Sequence, residues 1–337
     1  KIKIKIFMNM KLLHLAALLT TMPTLMFAQQ PDATVTERKS QPPTAITNGE
    51  KNDAKVDASD AGAQRPIFLK TTSISPFAGL DSKYLYRNNP LSAADKLDFI
   101  ETAMWMNTAY AGASFEAIEI VDAVITPYVG ASYTTTEYLE SGLDGLDFAS
   151  ASAYAMLLAQ HSSGWTFRAG ISYAMDKSES TKDETYSELY PYIGAMKSYA
   201  VSDSILGILD ISGGLHRSDS DASGIPSNNS INSYIGYREL QNADIVAGYS
   251  LRFVYDRIVV SPRYGVVYKR YFYGPNEDRE DFLQTVNLKI DYIVNENLNV
   301  SLFGGYSNRD SRNGNSNVNY DFKSADGGIA LGLNTTF

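Results

Sequence analysis

The sequence contains no cysteine in its 337 residues. This absence excludes disulfides, thiolate metal sites and cysteine nucleophiles, and it also excludes a lipid-modified N-terminal cysteine. Only three histidines are present. Because histidine is the usual general base and a common metal ligand, few positions could carry such chemistry.

The sequence also lacks an excess of positive charge and a long apolar run, and both absences narrow the class of protein. There is no excess of positive charge, since the net charge is −9 and the pI is about 4.9. Nucleic-acid-binding proteins usually present a basic face, so nucleic acid is not expected as a partner. After the N-terminal segment there is also no run of about 18 apolar residues, the length that a membrane-spanning helix requires.

Tyrosine and glycine, by contrast, are abundant, with 23 and 24 residues respectively. Hydrophobic residues make up 44% of the chain and charged residues 20%. Tyrosine favours strands and glycine favours tight turns, so the composition indicates a β protein rather than a helical one.

Residues 1–28 have the pattern of a secretory signal peptide. The basic flank KIKIKIFMNMK precedes a short apolar core from Leu12 to Leu19, Pro23 interrupts the segment, and Ala28 closes it. The alternative is a membrane anchor, but the apolar core is short and interrupted. Met8 and Met10 are both candidates for the initiating residue.

Residues 29–66 contain no aromatic residue and are rich in Pro, Gln, Asp, Lys, Thr and Ala. Such a segment cannot bury enough apolar surface to offset the loss of chain entropy on folding. We therefore expect a disordered tether here.

From residue 67 onward the chain alternates apolar and polar residues with period two, which predicts β-strands. WTFRAGISYAMD (165–176), ADIVAGYSLRFVYD (243–256) and FLQTVNLKIDYIV (282–294) show the pattern most clearly. The predicted strands are 73–87, 102–116, 122–138, 149–160, 165–177, 186–199, 203–217, 243–255, 257–273, 282–294, 297–309 and 324–337.

The connections between these segments alternate in length. Short turns lie around IEIVD, HSSG, AVSD, YDR and NEN, and the long polar loops are 88–101, 139–148, 178–185, 218–242, 274–281 and 310–323. A membrane barrel sorts its connections in this way, whereas a soluble β-sandwich has no reason to do so.

The strand-like segment 231–240 is assigned to a long loop, because counting it would make the strand number odd. Residues 92–101 are expected to include a short helix, since Ser92 and Asp95 resemble a capping pair.

Aromatic residues are expected at both ends of the outward face, where a membrane barrel has its interfaces. The loop-side candidates are Tyr84, Tyr86, Tyr190, Tyr271, Phe272 and Tyr273, and the turn-side candidates are Trp165 and Phe337.

With the leader ending at Ala28, the alternating strands and the final strand ending at Phe337, the chain resembles a bacterial outer-membrane β-barrel over residues 67–337. The resemblance implies an all-β, antiparallel up-and-down transmembrane barrel of about 12 strands. It implies the outer membrane of a Gram-negative bacterium as the location, with residues 29–66 in the periplasm. It also implies that Phe337, Leu333 and Leu331 form the signal read by the barrel-assembly machinery. The implied partners are that machinery and outer-membrane lipids, and the oligomeric state stays open.

The inward face is predicted to carry charges of both signs. Its predicted basic residues are Arg168, Lys197, Arg252, Arg257, Arg263, Lys269 and Lys289, and its predicted acids are Asp176, Asp210, Asp256, Asp291 and Asp326. From these, the pore-lining candidates are Arg168, Arg252, Arg263, Lys269, Lys289 and Asp291. If unpaired, Arg252, Arg263 and Lys289 would form a basic strip favouring anions, and if paired with the nearby acids they would form an ion-pair ladder that fills the barrel.

No catalytic residue, cofactor or metal is predicted. His216 and Ser218 faintly resemble the His-x-Ser of outer-membrane phospholipase A, but the glycine- and asparagine-rich surroundings are missing. Leu209, Ile211 and Leu215 mark the lipid face, so His216 is expected to point into the lumen. The acidic run that begins at Asp219 resembles the start of a calcium loop but has Ser230 at the twelfth position, where that loop requires Glu.

The leading interpretation is a passive, porin-like channel for small polar or anionic solutes. The alternatives are a structural or surface-interaction barrel without a conducting pore, a lipid-active enzyme that uses His216 and Ser218, and an autotransporter translocator. For the last of these, residues 29–66 are too short to be a folded passenger.

Overall fold

The computed structural model describes residues 74–89, 101–140, 143–182, 184–202, 204–218, 241–314, 319 and 321–336. These residues form an antiparallel sheet whose first and last strands pair, so that the sheet closes into a barrel of twelve long strands. The described part of the chain includes no helix that is long and apolar enough to cross a membrane.

The twelve predicted segments all appear as strands, and their ends differ from the prediction by a few residues. The strands are β1 (Ser75–Arg87), β2 (Thr102–Ser114), β3 (Ile118–Ile120), β4 (Ala123–Tyr138), β5 (Phe148–His161), β6 (Trp165–Ser178), β7 (Glu184–Ser202), β8 (Ile205–Ser218), β9 (Asn242–Tyr255), β10 (Ile258–Tyr271), β11 (Glu280–Ile293), β12 (Leu298–Arg312) and β13 (Phe322–Thr336).

The short strand β3 differs from the sequence prediction, which placed a turn around IEIVD. Ile118 and Ile120 lie opposite Ile125 and Ala123 of β4, so β3 continues the pairing of β2 with β4. The turn itself is reduced to Val121 and Asp122. Asp122 has a φ of 61°, which lets the chain reverse within two residues.

Closure is made by β1 and β13, which pair from Phe77 opposite Thr336 to Arg87 opposite Asp326. Each long strand therefore has a neighbour on both sides, and the backbone N–H and C=O groups along the sheet find partners within the protein. A closed barrel is the arrangement that satisfies a β backbone inside hydrocarbon.

The outward face of the barrel is apolar and exposed on every long strand. Examples are Leu80, Ile171, Ile193, Ile245, Val286, Leu302 and Leu331. Ile193 is 70% exposed. An apolar surface that encircles the molecule far exceeds the patches that soluble monomers expose, so it requires lipid around it.

The aromatic ends of this face are partly as predicted. Tyr84, Tyr86, Phe272 and Tyr273 are exposed at the loop-side ends. The prediction was wrong for Tyr190 and Tyr271, which are buried and point into the barrel. Strands β7 and β10 each carry tyrosines on the inward and on the outward face. The sequence alone therefore did not show which face Tyr190 and Tyr271 occupy.

Three charged residues also lie elsewhere than predicted. Lys197 faces outward, because it pairs with the lipid-side Trp165 and its Nζ lies 5.4 Å from the centre of the indole. Lysine at such an end can hold its charge at the interface while its aliphatic stem covers apolar surface. Asp256 and Arg257 form the exposed turn between β9 and β10 rather than lining the lumen.

Several predictions fall on residues outside the described part of the chain. These are the leader and tether (1–66), the helix at 92–101 apart from Glu101, the strand-like segment 231–240, the acidic run from Asp219 and the terminal residue Phe337. Leu331 and Leu333, the other members of the predicted assembly signal, lie exposed on the outward face of β13.

Candidate functional site: the barrel lumen

The lumen has two chemically different walls. Strands β1, β2, β4, β5 and β7 contribute a buried cluster of aromatic and other apolar side chains: Phe77, Tyr110, Tyr128, Tyr154, Met156, Tyr190 and Tyr192. Strands β8 to β12 contribute most of the buried charges, including five of the six predicted pore-lining residues. We refer to these as the aromatic wall and the charged wall.

The tyrosines of the aromatic wall lie flat because glycines stand beside them. A Cβ atom at Gly79 would come within 2.2 Å of the Tyr110 hydroxyl oxygen, and one at Gly130 within 2.5 Å of that of Tyr154. The rings thus occupy the space that side chains at these glycines would fill. They cover the wall instead of extending across the lumen.

Between these rings runs a seam of hydroxyl groups. Thr108 and Thr134 hydrogen-bond through their Oγ1 atoms at 2.9 Å, and the Oγ atoms of Ser132 and Ser152 lie 2.7 Å apart. All four side chains face inward and are only partly buried. The seam is therefore a polar part of the lumen to which solvent has access.

Arg263, a predicted pore-lining residue, is neutralised by an acid two strands away. Its Nη1 and Nη2 donate to the two carboxylate oxygens of Asp210, at 2.5 and 2.8 Å. The guanidinium crosses the intervening strand β9 at Gly248, where a Cβ would lie 2.1 Å from Nη2. Glycine at this position makes the pairing sterically possible.

Lys289 is paired as well. Its Nζ lies 2.6 Å from Oδ1 of Asp291, which also accepts a hydrogen bond of 2.6 Å from Ser301. Lys269 is buried between two strands that each place an aspartate opposite it, Asp244 on β9 and Asp281 on β11. For these lysines the structure favours the ion-pair ladder over the unpaired basic strip.

Arg168 and Arg252 differ from the other predicted cations. Arg168, on β6, is only partly buried, and its Nε lies beside Gly194 of the next strand. Arg252, on β9, is 3% exposed, and its Nε and Nη1 have no hydrogen-bond partner among the residues that the structure describes.

His216 points into the lumen, as the sequence predicts. Its Nδ1 lies 2.8 Å from Oε2 of Glu188, and its Nε2 lies 3.4 Å from Oδ2 of Asp244 without forming a hydrogen bond to it. Tyr190 stacks on the imidazole at 4.2 Å and donates to Asp244. With a carboxylate at each ring nitrogen, His216 is not placed to take a proton from Ser218, which is buried opposite Glu188.

A second buried network lies at the loop side of β10 to β12. Asp281 accepts hydrogen bonds from Ser311 at 2.6 Å, and from Tyr271 and Arg279 at 3.1 Å each. Arg279 also lies over the Tyr271 ring at 3.9 Å. These contacts leave little room beside this part of the wall.

The loop-side mouth is narrowed on the opposite side by an apolar cluster. Leu143, from the loop after β4, packs with Leu85, Met104, Tyr138 and Phe148, all of which are buried. The main-chain N–H of Tyr138 donates to Asp147 at 2.8 Å, which helps hold this loop against the strand end. We call this group the mouth cluster.

Sequence reasoning missed many of these lumen residues. The missed residues are Asp81, Lys83, Arg87, Glu188, Asp244, Arg279, Asp281 and Arg309. Most lie at strand ends, where the alternation of apolar and polar residues fades. The glycines beside the inward side chains were the available signal, since each marks a close approach from a neighbouring strand.

No group of three or more His, Asp or Glu side chains capable of holding a metal occurs in the described ranges.

Comparison with known proteins gives no family assignment. No family model matches the sequence, and no curated protein does. Among solved structures, an outer membrane channel from Pseudomonas putida F1 is similar with a TM-score of 0.46 and 7% identity, over 81% of this chain and 100% of that one. The β domain of the Bordetella autotransporter BrkA gives 0.40 and 10%, over 76% and 98%. The NanC porin gives 0.40 and 10%, over 75% and 98%.

These likenesses are too distant to bear on function, because each of the three TM-scores is below 0.5. The assignment rests instead on the molecule itself, namely the closed strand pairing, the exposed apolar outward face and the polar inward seam. This chain is a closed, antiparallel β-barrel of twelve long strands, with the apolar outward face of a barrel that spans a membrane.

Proposed function

We propose that the barrel is a narrow passive channel for small polar solutes. The hydroxyl seam formed by Thr108, Thr134, Ser132 and Ser152 is the observation that carries this proposal. It is polar, faces inward and has solvent access, while the outward residues of the same strands are mostly apolar. A row of hydroxyl groups can exchange hydrogen bonds with a passing solute without holding it strongly.

The size of the solute follows from what fills the rest of the lumen. The paired charges of Arg263 and Lys289 are buried, and the tyrosine rings cover the opposite wall. A twelve-stranded barrel filled in this way leaves a path much narrower than the aqueous channels of larger porins. The mouth cluster around Leu143 adds packed apolar side chains at the loop side.

A structural or surface-interaction barrel without a conducting pore is the second candidate. The buried network around Asp281 and the mouth cluster both favour it, because together they pack the loop-side end of the lumen with side chains. In this alternative the long loops at the loop-side end of the barrel would carry the function.

Planar bilayer recordings distinguish the two candidates. We expect the purified protein to give small, discrete conductance steps. Leu143→Ser should enlarge the steps, because it removes a buried member of the mouth cluster. Leu139→Ser is the matched control, since Leu139 lies in the same loop but is exposed. If neither the unaltered protein nor Leu143→Ser conducts, the channel proposal fails and the structural alternative is favoured.

The last strand, β13, also has a proposed role in assembly. The outward position of Leu331 and Leu333 supports the inference that they act with Phe337 as the signal for the barrel-assembly machinery. Removing Phe337 should slow insertion into outer membranes in cells, whereas removing an exposed turn residue should not.

A further inference from the structure

Arg252 is the buried cation for which the charged wall supplies the fewest partners. Two of its nitrogen atoms, Nε and Nη1, have no acceptor among the residues that the structure describes. A guanidinium carries five N–H donors in a planar fork, and leaving such donors unpaired inside a protein is unfavourable. The group therefore has capacity to bind an acceptor from outside the chain.

A second unpaired group stands next to it. The strand pairs Val260–Phe253 and Arg263–Ser250 place Ser261 of β10 opposite Arg252 of β9. Ser261 is completely buried, and its Oγ also has no hydrogen-bond partner in the described part of the chain. Two adjacent strands thus direct unpaired polar groups to the same place.

The next strand adds a positive charge. Lys289 of β11 lies directly opposite Ser261. Asp291 of β11 bonds to Lys289 and to Ser301 and lies within electrostatic reach of Arg252. One carboxylate thus serves two cations, so Arg252, Lys289 and Asp291 together carry a net positive charge.

The other acids around this group already interact with cations of their own. Asp210 of β8, another acid of the charged wall, has both of its carboxylate oxygens bonded to Arg263. On β1, Lys83 and Asp81 approach Lys289, and their charges offset each other. The unpaired groups around Arg252 can donate hydrogen bonds, which is the chemistry of an anion site.

We propose that Arg252, Ser261 and Lys289 form a binding site for an oxyanion group, a phosphate or a carboxylate, near the turn side of the lumen. The planar guanidinium fork suits two oxygens of one such group, and the serine hydroxyl and the lysine ammonium supply further donors. All three side chains are buried, so binding involves local movement of side chains around the site. This inference deepens the proposed channel function, because it names the chemical group that the lumen recognises.

The test is calorimetric titration of the purified, folded full chain in detergent micelles with inorganic phosphate and, separately, with acetate. We expect saturable binding of at least one of the two. Arg252→Gln should weaken that binding by about tenfold or more, and Ser261→Ala by a smaller factor of about two to five, in line with losing a charged and a neutral hydrogen bond. Ser261→Ala removes only one oxygen atom from a buried side chain, so it keeps the site testable if Arg252→Gln fails to fold.

Arg257→Gln is the matched control, because Arg257 lies in the exposed turn close to the site and outside it. Its affinity for the anion should equal that of the unaltered protein. Equal affinity in Arg252→Gln, or no saturable binding of either anion, would overturn the site. Because binding is measured without a membrane, a protein that binds phosphate but fails to conduct would refute the channel and leave the site standing.

Discussion

The ion pair between Arg263 and Asp210 tests whether water is excluded from the charged wall. Its two hydrogen bonds measure 2.5 and 2.8 Å, and the two side chains are 5% and 9% exposed. Removing one partner of a buried ion pair leaves the other charge buried without a counter-charge. This lowers the free energy of unfolding by about 3–5 kcal/mol. We expect Asp210→Asn and Arg263→Gln each to lower the free energy of unfolding by about that amount.

The double variant should be little worse than either single variant, because no charge is left stranded. The coupling free energy should then be close to the cost of one single variant, about 3–5 kcal/mol, which is at or above the upper end of values for residues in contact. Urea unfolding in phospholipid vesicles, followed by tryptophan fluorescence, measures all three variants. Asp256→Asn, in the exposed turn after β9, is the control and should change little.

The reasoning would be refuted by single variants that each cost less than about 1 kcal/mol and that add in the double variant. Such values are typical of solvent-exposed pairs. They would mean that water fills the lumen beside Arg263 and that the wall is not packed as the structure has it.

Three further expectations test separate parts of the barrel. Gly130→Val should push the Tyr154 ring into the lumen and reduce single-channel conductance, whereas Gly327→Ala, on the outward face with a nearest contact of 3.5 Å, should not. Leu331→Arg should lower the unfolding free energy in vesicles by about 2–4 kcal/mol if this position lies near the bilayer centre, and a loss as small as that of Leu331→Gln would argue against lipid contact there. His216→Ala should lower the free energy of unfolding by about 1–3 kcal/mol, because the buried carboxylate of Glu188 loses its hydrogen bond with Nδ1 of the imidazole, and a stability equal to that of the unaltered protein would contradict that geometry.

The twelve long strands could be predicted because two independent patterns agree. Period-two alternation identifies the strands, and alternating loop lengths identify which ends lie together. The strand β3 was missed because three residues are too few to show a period. Lys197 was assigned to the wrong face because β7 carries tyrosines and small residues on both sides, so that its alternation is ambiguous.

Which charges pair could not be predicted, because pairing depends on register and on steric clearance between strands. Arg263 reaches Asp210 only by passing over Gly248, a contact between residues on alternate strands. The position of Ser261 opposite Arg252 likewise depends on register, which a sequence of alternating residues does not specify. The residue types of the charged wall were thus predictable, and their partners were not.

If the closed sheet spans a membrane, its outward face contacts lipid and its inward face does not. The absence of cysteine allows this to be tested with single substitutions along β13, Ile329→Cys, Ala330→Cys, Leu331→Cys, Gly332→Cys and Leu333→Cys. Each variant is labelled with an environment-sensitive fluorophore in vesicles and then quenched with lipids that carry a quencher on the acyl chain. We predict strong quenching at 329, 331 and 333 and weak quenching at 330 and 332. Quenching that fails to alternate along the strand would contradict the membrane barrel.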